Sequence, residues 1–340
     1  MSDLVLLAIF LLSTAVIWIT GIHLTKAIDH ITAHFDLGEA FGGMVFLAIV
    51  TNLPEIAITV VAAYHRDYDI AVSNILGGIA IQTVVLVLID VFGVGRSAPL
   101  TWKGHSKVLV LEGVALIFIL TLVLMGTTFP SSFLILRSTP FEWMIALIWL
   151  GSIYMISKVG KSEPDYRSKQ DINYQLRHPN VRFRGTLPQA FLVLVGGAVL
   201  TLSAGWALEA SGETLSVRWG IDGVLFGGTI LALCTALPEI STGIASARIR
   251  DYNMAVSDIF GGNAFLPVLF LVASLIGGDA ILPSISHADI YLTALGIFLT
   301  GIYMVGMVVH PKKQILRMGY DSFTVLLVYL LGIAGLLVLL

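Results

Sequence analysis

The chain is poor in charge. Asp, Glu, Lys and Arg together make up only 12% of its 340 residues, and 57% of the residues are hydrophobic. Soluble domains carry roughly 25% charged residues. A chain with about half that supply cannot cover a globule of this size with polar surface. This excludes a soluble enzyme, a disordered chain and a nucleic-acid binder, and a net charge of −3 leaves no basic field to attract nucleic acid. Cysteine occurs once, at Cys234, so no intrachain disulfide forms. There is no His-Glu-x-x-His, no Gly-x-Ser-x-Gly and no Walker A run to suggest an enzyme. The apolar N-terminus has Asp3 where a signal peptide would have Lys or Arg, and no small-x-small cleavage site closes it. It reads as a retained first helix.

What is abundant is long apolar runs. They predict an all-α integral membrane protein with ten transmembrane helices, at about 4–24, 39–64, 69–92, 106–126, 140–157, 187–210, 222–248, 253–276, 288–309 and 320–340. One long polar stretch, 159–186, separates an N-terminal five-helix half (1–158) from a C-terminal one (187–340). With ten spans, the odd-numbered connections share one side, and 16 of the 19 Lys and Arg residues fall there. The exceptions are Arg66, Arg137 and Arg218. By the positive-inside rule the basic side is cytoplasmic and both termini face out. The 159–186 loop is then a basic cytoplasmic segment, an orientation signal in contact with anionic lipid. Trp102, Trp143 and Trp219 sit near predicted interfaces and read as anchors.

The chain also repeats itself. Residues 43–80 align without gaps onto 227–264 at a constant offset of 184, with 19 of 38 positions identical. The matching motifs extend over 43–82 and 227–266. Thr51-Asn52-Leu53-Pro54-Glu55-Ile56 corresponds to Thr235-Ala236-Leu237-Pro238-Glu239-Ile240. Ala71-Val72-Ser73-Asn74 corresponds to Ala255-Val256-Ser257-Asp258, and a Gly pair follows in each copy. Five helices per half is an odd number, so the second copy enters the membrane upside down. Inverted repeats of this kind are the architecture of alternating-access transporters.

The repeated motif carries chemistry. Proline has no N–H and its ring pushes away the carbonyl four residues earlier. Helices 2 and 7 are therefore expected to break near the midplane, freeing the carbonyls of Val50 and Cys234. Free carbonyls at that depth are tolerated only inside protein or along a water-filled cavity. A carboxylate follows each break directly, at Glu55 and Glu239, where a charge costs several kcal/mol by estimates that disagree. Acids and freed carbonyls together suggest an oxygen-lined cation site. Asn74 and Asp258, each one turn before Gly78 and Gly262, point to the same site or its pathway, and Gln82 and Asn263 add amide ligands. The Gly pairs read as packing positions that let the broken helices approach.

At these residues the chain resembles the calcium/cation antiporter superfamily, the sodium/calcium exchangers, whose repeats read G-T-S-L-P-E followed by G-N-x-x-G-S-N. The resemblance implies two inverted five-helix halves. It implies that Glu55 and Glu239 ligate the transported ions, with Thr51, Thr235 and the backbone carbonyls of Ala48 and Ala232. The departures are specific. The family's serines are Asn52 and Ala236 after the threonines, and Gly78 and Gly262 after the first glycines. Its following Asn is Ile79 in the first copy and Asn263 in the second. Its first Asn is kept as Asn74 and becomes Asp258 in the second copy.

Hard oxygen ligands suit calcium, manganese or magnesium rather than copper or zinc. The expected function is export of a divalent cation, calcium or manganese, from the cytoplasm in exchange for Na+ or H+, in a bacterial or archaeal plasma (inner) membrane. The lost hydroxyls weaken the case for sodium and favour protons as counter-ion. Metal ions are the substrates, and no further cofactor is implied. The competing readings are a relative that binds an ion without transporting it, a channel, and an intramembrane enzyme.

Among the remaining polar residues, the run Asp29-His30-Ile31-Thr32-Ala33-His34-Phe35-Asp36 reads as a solvated loop. Asp90 and Glu112 read as solvated residues near cytoplasmic helix ends, and Glu209 is assigned no role.

Overall fold

A computed structural model describes residues 2–34, 48–95, 98–104, 106–160, 183–248 and 250–339. The basic segment 161–182 and the beginning of the first repeat, 43–47, lie outside the described residues. The described chain is almost wholly helical. In order, the helices are α1 (Asp3–His34), α2 (Ala48–Thr51), α3 (Leu53–His65), α4 (Tyr68–Ile89), α5 (Leu100–Lys103), α6 (Lys107–Thr127), α7 (Pro140–Gly160) and α8 (Leu187–Trp219). There follow α9 (Gly223–Leu225), α10 (Ala232–Thr235), α11 (Leu237–Arg248), α12 (Tyr252–Phe265), α13 (Val268–Gly277), α14 (His287–Val309) and α15 (Tyr320–Leu339). Among the described residues, eight helices or helix runs are long and apolar enough to cross a membrane. A ninth span is the broken run Gly223–Thr235 with Leu237–Arg248, bent by 43°.

Nine of the ten expected spans have a counterpart among these; the expected 39–64 is described only from Ala48, as α2 and the 13-residue α3, and three others differ in detail. Helix α1 continues through His34, so most of the segment expected as a loop is helical. Helix α8 runs to Trp219, where Gly220 in the left-handed region ends it. The run from Tyr252 is interrupted at Leu266-Pro267 before α13 resumes at Val268, since Pro267 cannot donate to the ladder.

Burial sorts the helices into an inner and an outer set. Of the most apolar window of Tyr68–Val94, 78% is buried, and of Tyr252–Gly277, 67%; for Pro140–Gly160 the figure is 11% and for Tyr320–Leu339 it is 22%. A helix apolar on all sides belongs in a core, and α4 is such a helix. It packs against α3, α11, α12, α14, α15 and the π-helical turn Phe226–Leu231. Helices α1 and α8 lie along each other and present Leu11, Leu12, Leu192 and Val195 outward.

The two copies of the repeat share local structure. Arg66 (φ 62°) and Arg250 (φ 65°) both take the left-handed conformation, which costs a non-glycine residue roughly 1–2 kcal/mol. Each helix closes the same way. The Asp67 N–H donates to the Ala62 carbonyl at 2.8 Å and the Asp251 N–H to the Ser246 carbonyl at 2.9 Å. A second internal likeness is a hairpin tip that the sequence reading did not find. Ile135-Leu136-Arg137 and Ile315-Leu316-Arg317 each place Leu and Arg at positive φ between antiparallel partners.

Two acids expected to be solvated, Asp90 and Glu112, are buried. Asp90 accepts from the Leu100 N–H at 2.8 Å, the Gly319 N–H at 2.7 Å and the Ser322 hydroxyl at 2.8 Å. It ties the end of α4 to α5 and to the start of α15, and is a structural knot rather than a solvated end. Glu209 is also buried.

At Gly77, α4 meets the π-helical turn Phe226–Leu231 backbone to backbone. A Cβ there would overlap the backbone of Gly228 in the π-helical turn. Gly77→Ala is expected to destabilise by about 1–3 kcal/mol or more, as overpacking does. Gly301→Ala, which meets nothing within 4 Å, should be neutral or stabilising. Thermal unfolding in detergent separates the two.

Candidate ion-binding site

Each proline creates the helix start that it then occupies. The run α2–α3 is interrupted at a single residue, Asn52 (φ −87°, ψ 16°), and Pro54 falls in the first turn of α3. The second copy is interrupted at Ala236 (φ −78°, ψ 2°). A first-turn proline has no N–H to leave unsatisfied. Glu55 and Glu239 therefore stand in the first turn of α3 and α11, where the helix dipole favours a negative group. The interruption is short. The Ile56 N–H donates to the Asn52 carbonyl and the Ile240 N–H to the Ala236 carbonyl, so the ladder resumes at once.

Glu55, Glu239 and Asp258 are all buried. Glu239 lies within Coulombic reach of both Glu55 and Asp258. Among the described residues no Lys or Arg is ion-paired with any of them. The threonines cross over between copies. Thr235 faces Glu55, while Thr51 faces Glu239 and Asp258. Asn263 confirms how the copies meet, since its amide lies 3.4 Å from the carbonyl of Ile79, its own counterpart at the offset of 184.

The oxygens are only partly engaged. The Gln82 amide reaches Glu55 Oε1 at 3.5 Å and Asn52 Oδ1 at 3.4 Å. The Thr242 hydroxyl donates to Asp258 Oδ2 at 2.8 Å. Buried atoms with no hydrogen-bond partner among the described residues include Glu55 Oε2, both oxygens of Glu239, Asp258 Oδ1, Gln82 Oε1, Asn263 Oδ1, both amide atoms of Asn74 and Thr59 Oγ1. An unpaired buried polar group costs about 1–3 kcal/mol, and more if charged. Their concentration on the repeat helices is what a site for a cation requires.

Among the described residues no three His, Cys, Asp or Glu side chains converge closely enough to hold a metal ion. Asp258 is drawn toward Thr242 and Glu55 toward Gln82. Asn263, expected as a ligand, spends its amide N–H groups on Ile79 and on Thr83 Oγ1 at 3.4 Å, leaving Oδ1 for a ligand role. The carbonyls are unequal. Ala48 accepts from the Asn52 side chain at 2.7 Å and from Thr51 at 3.4 Å, whereas Ala232 takes the Thr235 hydroxyl at 3.1 Å.

The sequence reading did not single out Thr242, Thr59 or Thr83. Thr242 stands three residues after Glu239, and Thr59 four after Glu55. Hydroxyls at helical spacing from a functional acid are a legible signal.

Asn52 and Gly262 are fitted to each other. A Cβ at Gly262 would stand 2.8 Å from Asn52 Nδ2, while at Gly78 the nearest neighbour is an ordinary 3.8 Å away. The larger residue in the first copy fills the space left by the missing side chain in the second. Gly262→Ala is therefore expected to destabilise the protein, and Asn52→Ser to relieve part of that loss. A double-mutant cycle on thermal stability should give a coupling of about 0.5–3 kcal/mol, and additive effects would contradict the fit.

Comparison with known proteins points to one family. The sequence profile of the family described as sodium/calcium exchanger protein matches residues 5–158 and 189–338. The inner membrane protein YrbG of Escherichia coli is 28% identical over 239 residues, covering 70% of this chain and 69% of its own length. The putative antiporter CaxA of Alkalimonas amylolytica is 24% identical over 240 residues, covering 69% of each chain. A solved structure of the sodium-calcium exchanger NCX_Mj superposes with a TM-score of 0.67 at 16% identity, covering 98% of this chain and 99% of the other. At that identity the superposition speaks for the fold.

Proposed function

The chain belongs to the sodium/calcium exchanger protein family, and we propose that it exports a divalent cation, calcium or manganese, in exchange for Na+ or H+ by alternating access. It is an integral membrane transporter rather than an enzyme. The observation that carries the proposal is the set of unpartnered buried oxygens that both copies of the repeat carry on the broken helices and their partners.

The coupling follows from the electrostatics. Two or three carboxylates at this depth need a compensating charge, since an uncompensated buried charge costs several kcal/mol. A divalent cation supplies that charge. When it leaves, sodium ions or protons must take its place before the site can reorient. The carrier without a counter-ion is the costly state, so exchange is favoured over leak.

Ten spans in two inverted halves complete the reading. The matched breaks at Asn52 and Ala236, the matched closures at Arg66 and Arg250, and the contact of Asn263 with Ile79 support it. The distribution of Lys and Arg supports cytoplasmic odd-numbered connections and outward termini, in a bacterial or archaeal plasma membrane. The ligand set in this reading is Glu55, Glu239, Asp258 and Asn74, with Thr51, Thr235, Asn52, Gln82, Asn263 and the carbonyls of Ala48 and Ala232. Calcium takes six to eight oxygens, and the missing serines leave fewer hydroxyls to supply them. Manganese accepts an octahedral oxygen set. Fewer hydroxyls also leave fewer sodium ligands, which favours protons as counter-ion.

Everted membrane vesicles test the proposal. With calcium and manganese compared under an imposed sodium or proton gradient, uptake of one metal is expected to saturate and to depend on the gradient. Glu239→Gln should cut the rate by about 100-fold, at the upper end of what loss of a metal-site partner costs. Manganese uptake without calcium would identify a re-tuned site. Correctly inserted protein that moves neither ion would overturn the reading.

A further inference from the structure

Outside the paired breaks, two further buried acids bind the two halves of the chain together. Ser73 on α4 donates to Asp289 Oδ1 on α14 at 2.8 Å. Ser257 on α12 donates to Glu112 Oε1 on α6 at 2.6 Å. The serines are counterparts at the offset of 184 and immediately precede Asn74 and Asp258. Both acids are 1% exposed.

The two pairs differ in how fully the acid is satisfied. Asp289 sits in the first turn of α14. Its Oδ2 accepts the Ser286 hydroxyl at 2.7 Å, and its N–H donates to the same residue at 3.1 Å. It is a completed helix start. Glu112 has no such partner, and among the described residues its Oε2 is buried without a hydrogen bond. Glu112 lines a pocket whose other walls are mostly apolar, Ala48, Trp149, Ile153 and Ile156 among them, with Ser152 adding a hydroxyl. The pocket therefore reaches from Glu112 to Ala48 at the start of α2, one turn before the first helix break at Asn52. Glu112 lies five residues into α6 from Lys107, about 7–8 Å at the helical rise, on the side where the basic connections lie.

We propose that Glu112, with the Ser257 hydroxyl, is a second cation-holding position, a staging site between the cytoplasm and the central site. It takes the same hard divalent cation, weakly, through one carboxylate, a hydroxyl and water. A weak site with few protein ligands suits an ion that must move on. The asymmetry with Asp289 gives the cytoplasmic approach a staging carboxylate that the outer approach lacks. This inference rests on the transport reading above, and its test separates the two.

The variants are Glu112→Gln, which keeps an acceptor for Ser257, and Glu112→Asp, which keeps the charge. Detergent-purified full-length protein is titrated with Mn2+ and followed by electron paramagnetic resonance. Wild type is expected to show a tight and a weak class of bound metal. Glu239→Gln should remove the tight class, Glu112→Gln the weak one, and Glu112→Asp should restore it. In transport, Glu112→Gln should raise the half-saturating cytoplasmic concentration roughly ten-fold, within the range for loss of a metal-site partner, with the maximal rate unchanged. For transport from the opposite face the half-saturation should hold and the maximal rate should fall by the same factor, as detailed balance requires. A weak class unaffected by Glu112→Gln, or half-saturation shifted equally from both faces, overturns the staging site. If wild type transports nothing, the transport reading fails, and the Mn2+ titration still decides whether Glu112 holds a cation.

Discussion

A carboxylate buried in a membrane-spanning bundle must be matched by a cation or a proton, and this requirement organises the centre of the protein. Glu55, Glu239 and Asp258 are buried together, with no Lys or Arg paired to them among the described residues. The groups around them are hydroxyls and amides, which carry no charge of their own. The compensating charge is therefore left to something that comes and goes. The same requirement explains why the acids sit at interrupted helices, where the first turn of α3 and α11 offers the positive end of a dipole.

Close packing makes the arrangement possible. Lipid supplies no hydrophobic drive between spanning helices, so association depends on close contact through small residues. Gly77 against Gly228 brings α4 onto the π-helical turn before the second break. Gly262 makes room for Asn52, which in turn bonds the Ala48 carbonyl and faces Gln82. The larger side chain in one copy thus fills the space that the other copy leaves open. The buried Asp90, Glu142 and Asp289 do a different job. Each has backbone N–H groups or hydroxyls for its oxygens and fixes a helix end. Glu112 stands apart because one of its oxygens has no such partner.

Much of this was legible in the sequence, and the reason is the repeat. A motif that recurs at a constant offset with Pro and Glu in register marks the broken helices without any knowledge of their packing. Apolar runs of membrane length placed the spans to within a few residues at most boundaries, since the bilayer itself sets that length. The errors have physical causes. Hydropathy alone did not show that α1 and α8 outrun the bilayer's apolar thickness, because helices that lie along each other can extend past it. It also could not show that Asp90 and Glu112 are buried. An acid near a predicted helix end looks solvated in one dimension, and only the neighbouring helix decides otherwise.

What the sequence determined by itself is the class, the repeat and the pair of acids beside the breaks, because hydrophobic length, proline chemistry and internal identity are properties of the chain alone. What only the tertiary structure decided is which groups meet. Thr51 faces Glu239 while Thr235 faces Glu55, Thr242 holds Asp258, and Glu112 shares a pocket with Ala48. Ser257 is separated from Glu112 by 145 positions. Contacts over such distances follow from how the halves interleave, and no local spacing encodes them.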